Sequence, residues 1–110
     1  MVTFKEEKNR LYCTPRQDMV ASAVSQMRDT FIAKMEKEPE RPWEEIVLDL
    51  SQVEVMDSIG INLMLGLYKE SKSKDKLFKV IGCNDKIIKV IKLFKLDKTL
   101  NIDMAKQEEL

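Results

Sequence analysis

The chain is 110 residues long, 44% hydrophobic and 35% charged, which suits one globular domain, residues 1–110, with a modest core. Nineteen Lys and Arg balance nineteen Asp and Glu, so no net field draws the chain to nucleic acid or to an anionic membrane. Histidine is absent, and with it go the commonest general base, the imidazole metal ligand and the phosphohistidine, hence most hydrolase triads and most zinc sites. Cys13 and Cys83 stand far apart with no C-x-x-C, the pattern of reduced thiols that serve as small core residues. No apolar run approaches the ~20 residues of a membrane span. The opening Met-Val-Thr-Phe-Lys-Glu-Glu also lacks the apolar stretch of a signal peptide. The expectation is a soluble, cytoplasmic protein with no membrane insertion.

Two β-like runs, Val2 to Phe4 and Arg10 to Cys13, flank the charged Lys5-Glu6-Glu7-Lys8-Asn9 and predict a hairpin that turns at the asparagine. Thr14-Pro15 is expected to break the second strand, and Asp18 stands where a helix N-cap would. Val20, Val24, Met27, Phe31 and Met35, with Ala23 between them, form the stripe of an amphipathic helix, leaving Arg28, Asp29, Lys34 and Glu36 for its outer face. Glu38-Pro39-Glu40-Arg41-Pro42 ends that helix, because proline lacks an amide donor and biases the residue before it out of the helical region.

Glu45 to Leu50 is a near-continuous apolar run suited to a central strand covered on both faces. Ser58 to Glu70 predicts a second helix with Ile59, Leu63, Gly66 and Leu67 near one stripe. Leu77 to Ile81 is the next strand, closed by Gly82, and Asn84 or Asp85 can cap a third helix carrying Ile87, Val90, Ile91 and Phe94 inward. Thr99 to Ile102 is expected as a weak final strand, and Lys106 to Leu110 as a helical turn or frayed tail. The order β, β, α, β, α, β, α, β implies an α/β domain with a mixed, mostly parallel sheet of about five strands.

Charge is uneven along the chain. Residues 1–55 hold 8 basic and 11 acidic side chains, a net of −3, while residues 56–110 hold 11 and 8, a net of +3. Lys86, Lys89, Lys92, Lys95 and Lys98 recur every third residue, a solvated face or else a docking surface for an acidic partner.

Positions 47–60, Val-Leu-Asp-Leu-Ser-Gln-Val-Glu-Val-Met-Asp-Ser-Ile-Gly, concentrate the functional signal. A strand delivers the chain to a loop, and Asp57-Ser58 sits at a helix start. The plain account makes Asp57 or Ser58 an N-cap for orphan amides. A functional account adds that a serine at an exposed helix N-terminus is open to another protein's active site. Phosphate there would meet amide donors, the positive end of the dipole and the repelling carboxylate of Asp57.

Asp49-Leu50-Ser51, Met56-Asp57-Ser58-Ile59-Gly60 and the helix Ile61 to Lys69 together resemble the signature of bacterial anti-sigma factor antagonists, whose fold is the STAS domain. The likeness extends over essentially the whole chain, since Val80 to Leu96 is also similar to that family's third helix. It implies a non-enzymatic, cofactor-free regulator of transcription, a monomer when free, that binds an anti-sigma factor which is also a serine kinase. By the same resemblance that kinase phosphorylates Ser58 and breaks the complex, and a serine phosphatase restores it. Asp18, Met19, Asp57, Ser58, Ile59, Asn62 and Leu63 are then the candidate contact residues, although Met19, Ile59 and Leu63 equally suit core packing. The sequence departs from the family at Pro15, where a turn glycine is usual, at Ile59, often Ser or Thr, and at Lys95, where glycine suits a positive φ.

Two other readings compete. A STAS subunit of a transport complex would use Ser58 only as a cap. A two-component receiver would need paired carboxylates after its first strand to hold Mg²⁺, and here Thr14-Pro15-Arg16 follows Cys13. Asp49, Glu54 and Asp57 also admit a carboxylate cluster for acid/base work or Mg²⁺, but G-x-x-x-x-G-K-[ST] and G-x-G-x-x-G are both missing.

Overall fold

The computed structural model describes residues 1–37 and 43–100. Strands β1 (Val2–Glu7) and β2 (Arg10–Pro15) pair antiparallel with Glu7 opposite Arg10, so Lys8 and Asn9 alone make the turn. Both have positive φ, 50° and 67°, the two-residue geometry whose twist matches the flanking strands. The turn is thus shorter than the charged segment suggested, because Lys5, Glu6 and Glu7 continue the ladder. Pro15 closes β2 instead of breaking it. It sits opposite Val2 beyond the point, Cys13, where pairing with the next strand has stopped, so its missing amide interrupts no ladder there.

Helix α1 (Ala21–Lys37) buries Val24, Met27, Phe31 and Met35 as the 3.6-residue spacing requires. Arg28, Asp29 and Glu36 are exposed, whereas Lys34 lies over the Phe4 and Trp43 rings at 5.6 and 5.7 Å. The Glu38 to Pro42 stop signal falls outside the described residues. β3 (Glu45–Asp49) runs parallel to β2 and to β4 (Leu77–Ile81), giving the sheet order β1-β2-β3-β4. α2 (Ser58–Ser73) joins β3 to β4, and α3 (Asp85–Leu93) and α4 (Leu96–Thr99) follow.

The described residues therefore contain four strands, one fewer than expected. After α3, Lys95 adopts a left-handed φ of 57° and the chain curls into α4, so Thr99 ends a helix and Leu100 is driven into the core at 1% exposure. Asn101, Ile102 and the tail from Lys106 lie outside the described residues.

Leu11, Cys13, Ile46, Leu48 and Val80 alternate along the strands and form one core with Phe31, Met64, Ile87 and Ile91 from α1, α2 and α3. These three helices thus share one face of the sheet. The other face is not covered by them as the apolar run of β3 suggested. It forms an open cleft of about 700 Å³ whose lining includes Arg10, Tyr12, Thr14, Glu45, Asp49 and Lys79. Val47 is nevertheless buried there, at the floor of that cleft. Because α1 and α2 each return the chain to a parallel strand and α3 leaves the end of β4, the C-terminal ends of β2, β3 and β4 and the N-termini of α1, α2 and α3 gather at one end of the molecule.

Candidate functional site

Asp57 organises that end. It is the N-cap of α2, with extended φ and ψ of −94° and −176°, and its Oδ1 accepts from the amides of Ile59 at 3.0 Å and Gly60 at 2.9 Å. Its Oδ2 accepts from the Ala21 amide at 2.9 Å, the first residue of α1 and 36 positions away. One carboxylate thus caps two helices. The amides of Gly60 and Ala21, together with that of Ile59, hold the Asp57 carboxyl below the ordinary range, because they stabilise its ionised form.

The segment before α1 is stitched to the same loop. Met19 donates its amide to the Val55 carbonyl at 3.1 Å and accepts from the Asp57 amide at 3.2 Å, an isolated parallel bridge between Met19 and Met56. Gly60 faces this bridge so closely that a Cβ would overlap the Met19 carbonyl oxygen and come within 2.9 Å of Met56 Cγ. Asp18 does not cap α1 as its position suggested. Its Oδ1 accepts instead from the Glu54 and Val55 amides at 3.0 and 3.2 Å, since the chain bridges to the Val55–Asp57 loop before it turns helical. Asn84 is the cap of α3, accepting from Ile87 at 2.9 Å, and its Nδ2 donates to the Glu54 carbonyl at 3.1 Å. Asp18, Asp57 and Asn84 thereby tie three chain segments into one rigid end.

On this frame Ser58 opens the first turn of α2 and is exposed. Among the described residues its hydroxyl makes no hydrogen bond, because Asp57 already satisfies the helix amides. Ile59 stands 42% exposed and Asn62 is exposed one turn on, so both share the surface with Ser58. Asp18 and Asp57 are half-buried, with their carboxylates committed to backbone amides. Met19 and Leu63 are buried at 0% and 3% and support the surface from beneath. Three features were missed by sequence reasoning: Val55, 45% exposed beside the loop, the Ala21 amide and the second role of Asn84. No local pattern marked Val55, since Val53 and Met56 are buried while both Glu54 and Val55 between them are exposed, which is not a two-residue alternation. The long-range bonds of Asp57 and Asn84 leave no local sequence signal.

Asp49, the last residue of β3, lines the cleft on the open face of the sheet, accepting from the Ser51 amide at 2.9 Å and from the Thr14 hydroxyl at 3.5 Å. No group of three His, Cys, Asp or Glu among the described residues is placed to hold a metal ion. Cys13 and Cys83 are buried thiols, and burial pushes each up to about 12, so neither supplies a thiolate.

The model of the STAS domain family matches residues 3–109. The chain belongs to the STAS domain family. Solved structures agree in fold. A protein of Thermotoga maritima, described as a candidate anti-sigma factor antagonist, is similar with a TM-score of 0.79 at 20% identity, over 98% of this chain and 92% of that one. An anti-sigma factor antagonist from Mycobacterium paratuberculosis is similar with a TM-score of 0.79 at 17% identity, over 94% and 85%. A sulfate transporter family protein from Wolinella succinogenes is similar with a TM-score of 0.71 at 12% identity, over 90% and 81%. Among the described residues no helix is long and apolar enough to cross a membrane.

Proposed function

We propose that this STAS domain is a cytoplasmic anti-sigma factor antagonist that binds a cognate anti-sigma factor with serine kinase activity, through the surface around Ser58. Phosphorylation of Ser58 switches it off, and a serine phosphatase switches it on. The observation that carries this reading is a serine hydroxyl that is exposed and unbonded among the described residues, on a helix start whose capping is done by its neighbour. Modification of such a hydroxyl breaks nothing inside the protein. Ile59 and Asn62 add an apolar and a polar contact beside it, with Asp18, Met19, Asp57 and Leu63 shaping the surface.

The electrostatics support an interface switch. A phosphoryl group adds about −1.5 to −2 charges. The Ile59 and Gly60 amides that would otherwise receive it are occupied by Asp57, so the new charge stays in the contact surface beside an existing carboxylate. Burying it against a partner costs desolvation and like-charge repulsion.

The test is to isolate the protein from its host, map phosphate by mass spectrometry with and without phosphatase, and identify the kinase that labels it from ATP. Binding of that kinase is then compared for two variants. Ser58→Ala holds the kinase as tightly as unmodified protein, and Ser58→Glu binds it about tenfold or more weakly. Equal affinity of the kinase for Ser58→Ala and for the phosphorylated protein overturns the switch. A protein never phosphorylated under any growth condition would be a non-switching STAS subunit, as in a transport complex.

A further inference from the structure

The end of the molecule away from Ser58, where helix C-termini meet strand N-termini, combines cations with apolar side chains held in water. Along α3, Ile87 and Ile91 turn into the core at 1% and 0% exposure, while Leu93 stands 77% exposed and its neighbour Phe94 47%. At ~100° per residue, Lys86, Lys89 and Leu93 share the outward face of this helix and Lys92 flanks it. Past Phe94 the left-handed Lys95 swings the chain into α4, where Lys98 is exposed. Residues 84–100 hold five lysines against Asp85 and Asp97, a net of +3. Among the described residues no ion pair neutralises any of the five. Leu77, at the start of edge strand β4, is 68% exposed at the same end.

Helix dipoles explain a lysine in the last turn of a helix. They do not explain large apolar side chains left in water among those lysines. The form of the surface selects its occupant. A partner peptide is usually gripped in a groove, yet Leu93 projects from the outer, convex side of a helix. A lipid surface accepts projecting side chains, and its anionic head groups meet the lysines around them. The neutrality of the whole chain does not oppose this, since the acidic excess belongs to residues 1–55, net −3, and to residues 101–110, net −2. We propose that this end docks on an anionic bilayer surface, with Leu93 and Phe94 entering the interface and Lys89, Lys92, Lys95 and Lys98 on the head groups. Ser58 then faces away from the lipid and stays open to its partner, so the two surfaces operate independently.

The experiment is co-sedimentation of the 110-residue chain with vesicles of phosphatidylcholine alone or of an equimolar mixture with phosphatidylglycerol. The mixed vesicles are expected to sediment the chain about tenfold more effectively than the neutral ones, and raising the salt from about 50 to about 200 mM is expected to weaken this several-fold. Lys89→Gln with Lys92→Gln reduces binding at low salt, and Leu93→Ser with Phe94→Ser reduces it at every salt concentration. All four positions are exposed, so unchanged thermal midpoints certify the folds. Equal sedimentation on neutral and anionic vesicles overturns the proposal, as does full binding by the Leu93 and Phe94 variant. Capture of the chain on immobilised polyglutamate without vesicle binding would assign the surface to an acidic protein and overturn it equally.

Discussion

The two ends of this domain are built by different means. At the Ser58 end, Asp18, Asp57 and Asn84 spend their side chains on backbone amides or carbonyls of other segments, so specific residues fix the loops. At the opposite end the chain reverses by backbone conformation. Among the described residues the four non-glycine residues with positive φ, Lys8, Asn9, Asp75 and Lys95, all lie there, and their own side chains are exposed. A partner surface benefits from the first arrangement, because a web of carboxylate–amide bonds holds Ser58 and Ile59 in place before binding and reduces the ordering cost of the complex. The second arrangement tolerates substitution.

The contrast is broken most severely at Gly60. Gly60→Ala drives a Cβ into the Met19 carbonyl, which is backbone and cannot rotate aside. The expected loss is about 3 kcal/mol or more in chemical denaturation, with the α1 start pushed off the loop. A variant of near wild-type stability would show that the two segments are not tightly joined.

Asp57→Asn comes next, because it keeps the shape of the cap but removes the charge that two helix N-termini favour. The folded protein holds Asp57 below the usual carboxylate value. Its contribution is therefore fully present above about pH 4, where an unfolded Asp is ionised, and drains away as pH falls through the lower folded value. Wild-type and Asp57→Asn thermal midpoints should differ by several degrees at neutral pH and converge in acid. A constant difference across that range would mean that the charge on Asp57 is not what the two helices use. Subtracting the two profiles also removes the acid response of Glu7, which Lys5 lowers in the same direction.

The same contrast explains what the sequence disclosed. The helix stripes, the parallel strands and the Asp57-Ser58 start were legible because periodicity and capping are local. The positive φ at Lys95 was also legible, from the glycine that the family resemblance puts there, and the structure bears it out at 57°. The final strand was not, since β-branched and apolar residues at Thr99 to Ile102 say nothing about the reversal that Lys95 imposes on the chain before them. Asp18 misled for a related reason. Ahead of the apolar stripe that opens at Val20 it suits a cap, but α1 begins only at Ala21 and the amides Asp18 takes are 36 and 37 positions away. Whether Asp57 or Ser58 was the cap was open in the sequence. Geometry assigns it to Asp57, which is what leaves Ser58 available.

A smaller effect is expected at the other end, and of opposite sign. Lys95→Gly removes the cost of a left-handed side-chain-bearing residue, roughly 1–2 kcal/mol, and returns part of it as extra freedom in the unfolded chain. The net gain is about 0.5–1 kcal/mol in denaturation. No gain would mean that the Lys95 side chain stabilises the α3–α4 turn by contacts worth as much as the strain.

The smallest effect on stability belongs to the residue with the largest proposed role. Ser58→Ala removes a hydroxyl that bonds nothing among the described residues, at a position where alanine is the better helix former. Its stability should stay within about 0.5 kcal/mol of wild type. A loss near that of a missing cap, about 1 kcal/mol, would show that Ser58 shares the capping of α2. Phosphorylation would then have to act by loosening the helix start as well as by adding charge to the surface. Silence in denaturation together with a change in kinase binding is the combination that separates a switch carried by the surface from one carried by the fold.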